Sequence, residues 1–216
     1  SDSENVEITG RGSIVTSNGF ELVSQIVGTG GGKMLLAYEK NTTDKYLVIT
    51  HDDKHYSITP SNTAWALIGD YGNAANYAGG VVYKGLTETR RAILGNDITA
   101  NATSKWDGTT FSTIAAAPDG WIMETFQGRL FLASGVTLYY TDVDDETDWA
   151  GGGTVGFPDT ITCLKAEGDF LHVHTKRESF TIQMYYNDSF SLSQPLKKPY
   201  KNASGCLAHK TAVSVY

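Results

Sequence analysis

A pair of short strands joined by a tight polar turn recurs along the chain, and it restricts the fold more than any other feature. The pattern occurs at residues 44–58, 128–142 and 168–182, and in each copy the second strand carries aromatic residues. The second and third copies start 40 residues apart, and the first and second start 84 apart, which is twice 42. A further copy is expected near Gly85, because turn signals follow at 95–97 and 106–108.

A repeat of about 40 to 45 residues with short strands is typical of the four-stranded blade of a β-propeller. One small sheet cannot bury both of its faces, whereas sheets packed around an axis cover one another and leave only short edges exposed. We therefore expect an all-β fold, a β-propeller or partial propeller of roughly four to five antiparallel blades in a single domain. The predicted divisions are an N-terminal arm at 1–32, blades at 33–75, 79–116, 121–157 and 160–200, and a fifth unit that starts at 205.

Closure of the ring is an open question at this stage. Residues 205–216 account for about two strands of a fifth blade. N-terminal strands near 14–15 and 22–27 would complete that blade, or another chain would do so. A fragment of a longer propeller chain is the remaining alternative.

Composition agrees with β structure and limits the kinds of partner that the protein can bind. The 23 glycines suit turns, and the 12 tyrosines suit pleated surfaces. The best helical candidate is 62–68, which is long enough for one or two turns. A net charge of −7 argues against a broad nucleic-acid-binding surface, which needs clustered cations. No apolar run approaches the length of about 18 residues that a transmembrane helix requires, so no membrane span is expected.

The acidic run at 142–148 is the best metal candidate in the sequence. Calcium prefers several hard oxygen ligands from one loop. The run supplies four of them, namely Asp142, Asp144, Asp145 and Asp148. It lacks the glycine and the final glutamate of an EF-hand, so an exposed turn whose carboxylates accept backbone N–H bonds is the competing interpretation. We predict no resident metal and no cofactor, with this loop as the calcium candidate.

Motifs of covalent catalysis are not found in the sequence. There is no G-x-S-x-G and no cysteine in the signature context of a Cys-His nucleophile. We therefore predict that the chain is not an enzyme. Paired carboxylates of a propeller glycosidase are left open, because they meet only in space. Trp106 and Trp149 are candidate contacts for a glycan or a partner, although such residues more often pack between blades.

Residues 104–111 resemble the Asp-box of sialidases, with Asp107 and Gly108 at the turn. They depart from that pattern because no residue separates the Asp from the Gly. The resemblance implies a residue that stabilises a turn between strands, far from any active centre. It therefore favours propeller architecture and not catalysis.

A series of short motifs runs from Lys105 to Gln183. They are Trp106–Phe111, Phe126–Ala133, Leu138–Asp142, Asp148–Trp149 and Gly156–Leu164. This progression resembles structural proteins of tailed phages and prophages. Thr141 stands where Ser is commoner, and 145–147 replace the usual Asp-Pro of that pattern.

The resemblance implies a tail component such as a nozzle, hub or tail-tip protein, made in the bacterial cytoplasm and built into the virion. Its expected partners are other virion proteins and further copies of itself in a homo-oligomeric ring. An acidic surface facing the lumen of that ring would let DNA pass without specific binding, because like charges repel. The alternative function is a carbohydrate-binding β-propeller module, and a propeller glycosidase is less favoured.

Overall fold

The protein is all-β in the computed structural model, which describes residues 6–8, 14–16, 31–85, 89–99, 101–183 and 196–199. The strands are β1 (Val6–Ile8), β2 (Ile14–Thr16), β3 (Gly32–Glu39), β4 (Lys45–His51), β5 (Lys54–Ile58), β6 (Ala66–Asp70), β7 (Ala78–Lys84), β8 (Arg90–Asn96), β9 (Ser104–Trp106), β10 (Phe111–Thr113), β11 (Ile122–Phe126), β12 (Arg129–Ser134), β13 (Thr137–Tyr140), β14 (Gly153–Gly156), β15 (Ile161–Glu167), β16 (Phe170–Thr175), β17 (Ser179–Gln183) and β18 (Leu196–Pro199). Among the described residues, no helix is long and apolar enough to cross a membrane.

Sixteen of these strands form four antiparallel sheets, each made of four strands that are consecutive in the chain. We name them sheet I (β3–β6), sheet II (β7–β10), sheet III (β11–β14) and sheet IV (β15–β18). The first two strands of the chain pair separately as a hairpin. The predicted four-stranded units are confirmed, with boundaries within a few residues of those expected. The fifth unit from 205 and the strand near 22–27 lie outside the described residues.

Consecutive sheets pack face to face in chain order. Their first strands are neighbours, with β3 beside β7, β7 beside β11 and β11 beside β15. Three apolar cores lie between the sheets: Met34, Tyr38, Val48, Leu94 and Trp106 between I and II, Tyr83, Ile93, Met123, Leu130 and Leu132 between II and III, and Phe131, Leu138, Leu164, Val173 and Phe180 between III and IV. This is the arrangement of a partial β-propeller.

The burial pattern of the second strands shows which sheets are enclosed. In β12 of sheet III every residue but the last is buried, because side chains on both faces contact a neighbouring sheet. In β16 of sheet IV buried and less buried residues alternate, as they do over the last four residues of β4 in sheet I. Sheets I and IV therefore bury one face each among the described residues.

Close approach of sheets II and III depends on a glycine. A Cβ atom on Gly79 in β7 would overlap the carbonyl oxygen of Trp121, which lies just before β11. Backbone atoms cannot rotate aside as a flexible side chain can. Glycine at 79 therefore sets the spacing between the first strands of the two sheets.

Polar contacts also join neighbouring sheets. The Tyr38 hydroxyl in sheet I donates to the carbonyl of Arg90 in sheet II at 2.7 Å. Tyr83 in sheet II repeats the arrangement one sheet further on, donating to the carbonyl of Gly128 at 2.9 Å. Burial is the main cause that raises the pKa of both phenols, so they stay protonated as donors.

The helical turns expected at 62–68 are not formed. Residues 66–70 are strand β6, which pairs with β5 through contacts such as Tyr56 with Leu67. Pairing with an existing sheet edge satisfies the backbone groups of this segment, and it overrides a short and weak helical pattern.

Candidate functional site

The predicted calcium ligands are used as turn residues. The Asp145 carboxylate accepts bonds from the N–H and the hydroxyl of Thr147, at 2.8 and 2.6 Å. The hydroxyl bond from Thr147 is the main cause that lowers the pKa of Asp145. Asp148 accepts the N–H of Gly151 at 2.6 Å. These carboxylates therefore stabilise the loop between β13 and β14.

Asp142 and Asp144 also help to hold the local backbone in place. Asp142 accepts the N–H of Val143 at 2.7 Å, and it lies 3.4 Å from the guanidinium of Arg129. Asp144 has a φ of 58° and donates its N–H to the carbonyl of Gly128 at 2.7 Å. No group of three or more His, Cys, Asp or Glu that could hold a metal ion occurs in the described ranges. The four aspartates are therefore not brought together as ligands of one ion.

The two candidate tryptophans lie in packing positions. Trp106 is only 3 % exposed in the core between sheets I and II. Its ring contacts Tyr38 and Tyr46 at centroid distances of 5.5 and 4.9 Å. Trp149 is partly buried against the core between sheets II and III. The faces of the Trp106 ring are covered, so a sugar has no surface on which to stack. The structure therefore does not support Trp106 as a glycan contact.

The Asp-box-like segment forms the turn that its resemblance implies. The Asp107 carboxylate accepts the N–H groups of Thr109 and Thr110, both at 2.8 Å. These bonds, led by that of Thr110, lower the pKa of Asp107. Gly108 has a φ of 93°, which favours glycine, and the turn joins β9 to β10. Asp107 therefore stabilises a turn between two strands, and it lines neither of the two clefts described below.

A cleft that sequence reasoning missed lies at one end of sheets II, III and IV. We call it the end cleft, and its volume is about 580 Å³. Tyr77 lies just before β7, and Asp119 and Trp121 lie just before β11. Asp97 follows β8, and Lys176 lies in the turn after β16. Because the strands are antiparallel, segments that enter first strands and turns that follow second strands meet at the same end. The end cleft therefore combines loops from three sheets.

An aromatic pair forms one wall of the end cleft. The rings of Tyr77 and Trp121 stack with centroids 5.1 Å apart and an interplanar angle of 16°. Tyr77 is nevertheless 54 % exposed. The Asp97 carboxylate accepts the N–H groups of Asn76 and Tyr77 at 2.9 and 3.1 Å, and the Asp97 N–H donates to the Tyr77 carbonyl at 3.1 Å. Tyr77 is therefore held on both its ring and its backbone.

A buried amide also borders the end cleft. Asn96 is 1 % exposed, and its side-chain oxygen accepts the N–H of Ile98 at 3.0 Å. Since that N–H needs an acceptor, the amide orientation is set, and Nδ2 is the end that has no hydrogen-bond partner among the described residues. A buried donor without a partner is rare in proteins. This nitrogen is itself shielded from solvent, so the aromatic pair of Trp121 and the exposed Tyr77 is the feature that marks the cleft as a candidate binding site.

The positions of Tyr77 and Trp121 in the sequence hold a signal for this site. Trp121 is the first residue of a predicted blade, and Tyr77 lies two residues before another predicted start, at 79. Such positions enter first strands, which converge at one end of a propeller. The tryptophans chosen from sequence were the ones within motifs, and those motifs serve turns and cores.

A second cleft, of about 690 Å³, lies between the first strands of all four sheets. Its charged residues are Lys33, Glu124 and Lys165, and Lys165 pairs with Glu124 at 3.7 Å. This surface is not acidic. The acidic lumen that we expect belongs to an oligomeric ring, which one chain does not contain, so it stays a prediction.

Comparison with known proteins does not identify a family. The chain matches no protein-family model and no curated protein.

Proposed function

We propose that the protein is a non-enzymatic structural component of a phage tail or prophage-derived particle, and that it assembles into a ring through the outer face of sheet I. The observation that carries the proposal is a row of apolar side chains across that face. Leu35, Ile49, Tyr56 and Leu67 lie directly opposite one another on β3, β4, β5 and β6.

The ends of this row are open to solvent. Leu35 is 66 % exposed and Leu67 is 56 % exposed, and Leu47 on the neighbouring row is exposed as well. The opposite face of sheet I is packed on sheet II through Met34, Tyr38 and Val48. In sheets II and III both faces are covered by neighbouring sheets, so the outer face of sheet I has the chemistry of a blade interface.

An exposed apolar surface of this kind marks a site of protein association. The outer face of sheet IV is different, since β16 presents the exposed Phe170 and the partly buried His172. A contact between these two unlike faces of neighbouring copies is heterologous, and heterologous contacts generate rings when the rotation closes. The proposed assembly is therefore a head-to-tail ring.

The phage assignment rests on the motifs between Lys105 and Gln183. Their residues serve turns and packing, as Asp107 does between β9 and β10. Arg129 likewise donates to the Thr141 carbonyl at 2.6 Å and lies over the ring of Tyr140. Such roles support the proposal of a protein that functions through assembly and not through catalysis.

Oligomeric state tests the assembly. We expect native mass spectrometry and negative-stain images of the intact chain to show a ring. We expect the double substitution Leu35→Gln, Leu67→Gln to give monomers that keep the circular dichroism spectrum of the wild type and that melt at a lower temperature, because the ring no longer stabilises the fold. The matched control is Val136→Gln, which replaces another exposed apolar residue in the β12–β13 turn of sheet III and should leave the ring intact.

Two outcomes contradict the proposal of a ring. One is a wild-type chain that stays monomeric at every concentration, and the other is a double variant that assembles like the wild type. The phage role has a separate test, which is peptide mass spectrometry of purified particles from the encoding host. Particles that contain no peptide of this chain would remove that role.

A further inference from the structure

We propose that the end cleft binds a neutral glycan, with one sugar ring stacked on Tyr77. This inference is independent of ring assembly, because the outer face of sheet I contributes no residue to the end cleft. It gives the carbohydrate-binding alternative a location that differs from the tryptophans chosen by sequence.

The exposed ring of Tyr77 is the first observation. One ring face is covered by Trp121 at a centroid distance of 5.1 Å, yet the residue is 54 % exposed and borders the cleft, so ring surface stays available to a ligand. The C–H face of a pyranose is a flat apolar patch that packs on an aromatic face. Tyrosine and tryptophan supply rigid contact area at low entropic cost. The bonds from Asp97 to the Tyr77 backbone add to this preorganisation.

The polar lining is the second observation. A sugar hydroxyl both donates and accepts, so its site needs acceptors and donors around an apolar surface. Asp97 and Asp119 supply acceptors, and Ser134 and Thr160 supply hydroxyls. The hydroxyls of Ser134 and Thr160 donate as well as accept, so the lining offers both kinds of group.

Charge and size select the class of sugar. Two carboxylates and one lysine, Lys176, line the cleft, so its charged groups sum to an excess of negative charge. That excess disfavours sialic acids, uronic acids and phosphorylated sugars, and it permits neutral hexoses and N-acetylhexosamines. A volume of about 580 Å³ lies within the usual range of roughly 300–1,000 Å³ for small-ligand sites.

The test uses the intact chain and four defined probes, the methyl glycosides of glucose, galactose, mannose and N-acetylglucosamine. Saturation-transfer difference NMR identifies binding, and isothermal titration calorimetry gives the affinity. We expect at least one probe to bind and Tyr77→Ala to weaken it about tenfold or more, which corresponds to ~1.4 kcal/mol. Tyr77→Phe should keep the affinity, because stacking needs the ring and not the hydroxyl.

Two further variants make the test specific. Tyr77→Leu keeps an apolar side chain but removes the flat ring, and it should weaken binding as Tyr77→Ala does. Phe170→Ala removes another exposed aromatic residue, on sheet IV and outside the cleft, and should bind like the wild type. A melting curve of each variant separates loss of binding from loss of fold.

The inference is overturned if none of the four glycosides gives a saturation-transfer signal, or if Tyr77→Ala and Tyr77→Leu bind as tightly as the wild type. Ring assembly measured on the Tyr77 variants should not change, because Tyr77 lies outside both faces of the proposed ring contact. A failure of glycan binding and a failure of assembly are therefore distinguishable.

Discussion

The Nζ atom of Lys105 lies 2.9 Å from Oε1 of Glu146, and this ion pair joins β9 of sheet II to the loop before β14 of sheet III. Arg91 of β8 pairs with the same carboxylate. The Glu146 side chain is only 4 % exposed, whereas the two cations are partly exposed. Glu146 is thus a buried acid that holds two sheets together, within a loop that the sequence presents as a simple acidic turn.

We expect Glu146→Gln to destabilise the protein by up to about 3 kcal/mol, because it leaves two cations beside a neutral amide at a buried position. Urea unfolding measures the change. The matched control is Glu39→Gln, which breaks exposed pairs with Lys45 and Arg90 and should cost about 1 kcal/mol or less. Equal effects of the two substitutions would contradict the structural role of Glu146.

Gly79→Ala should destabilise by about 3 kcal/mol, at the upper end of overpacking effects, because the added Cβ atom meets the carbonyl oxygen of Trp121. Gly156→Ala is the control, since a Cβ atom there meets nothing within 4 Å. The control should be neutral or slightly stabilising. A Gly79→Ala variant as stable as the control would show that sheets II and III are not in such close contact.

Stability should fall as the pH drops from about 6.5 to about 4, because His55 is buried and burial lowers its pKa to about 4. The unfolded chain binds a proton on His55 near pH 6.5, and the folded chain does so only near pH 4. The neutral histidine therefore favours folding fully above pH 6.5, and protonation of the unfolded state removes up to about 3 kcal/mol by pH 4.

The comparison of the wild type with His55→Gln checks this dependence. Melting temperatures measured between pH 7.5 and pH 4 should fall less steeply in the variant. Burial also lowers the pKa of His174, so His174→Gln is the second variant to compare. A wild-type profile that stays flat over this window would contradict the burial of His55 between Thr50 and Tyr71.

Asp107→Ala should destabilise by about 1 kcal/mol, because the N–H groups of Thr109 and Thr110 lose their acceptor. Asp107→Asn keeps an acceptor oxygen and should cost less. Since the pKa of Asp107 is lowered, its contribution is present above the ordinary value of 3.8 and is lost as the pH falls through the lower folded value. Chemical unfolding at neutral pH, followed by melting curves below pH 4, measures both effects.

The repeat in the sequence predicted the strands and their grouping because turns and alternation are local properties. Its three visible copies correspond to the second and third strands of sheets I, III and IV. The copy in sheet II was not visible because its two strands, β8 and β9, are separated by residues 97–103 and not by a tight turn. Asp107 was likewise predictable, since its bonds reach only two and three residues along the chain.

The exposure of side chains was not predictable in the same way, because it depends on which distant sheet packs on each face. Trp106 is buried since Tyr38, 68 positions earlier in the chain, lies against it, and Glu146 is buried since β8 and β9 supply its cations. Tyr77 and Trp121 meet only because Gly79 lets β7 approach the segment before β11. Local backbone preferences thus specify the sheets, whereas contacts between sheets specify the candidate site.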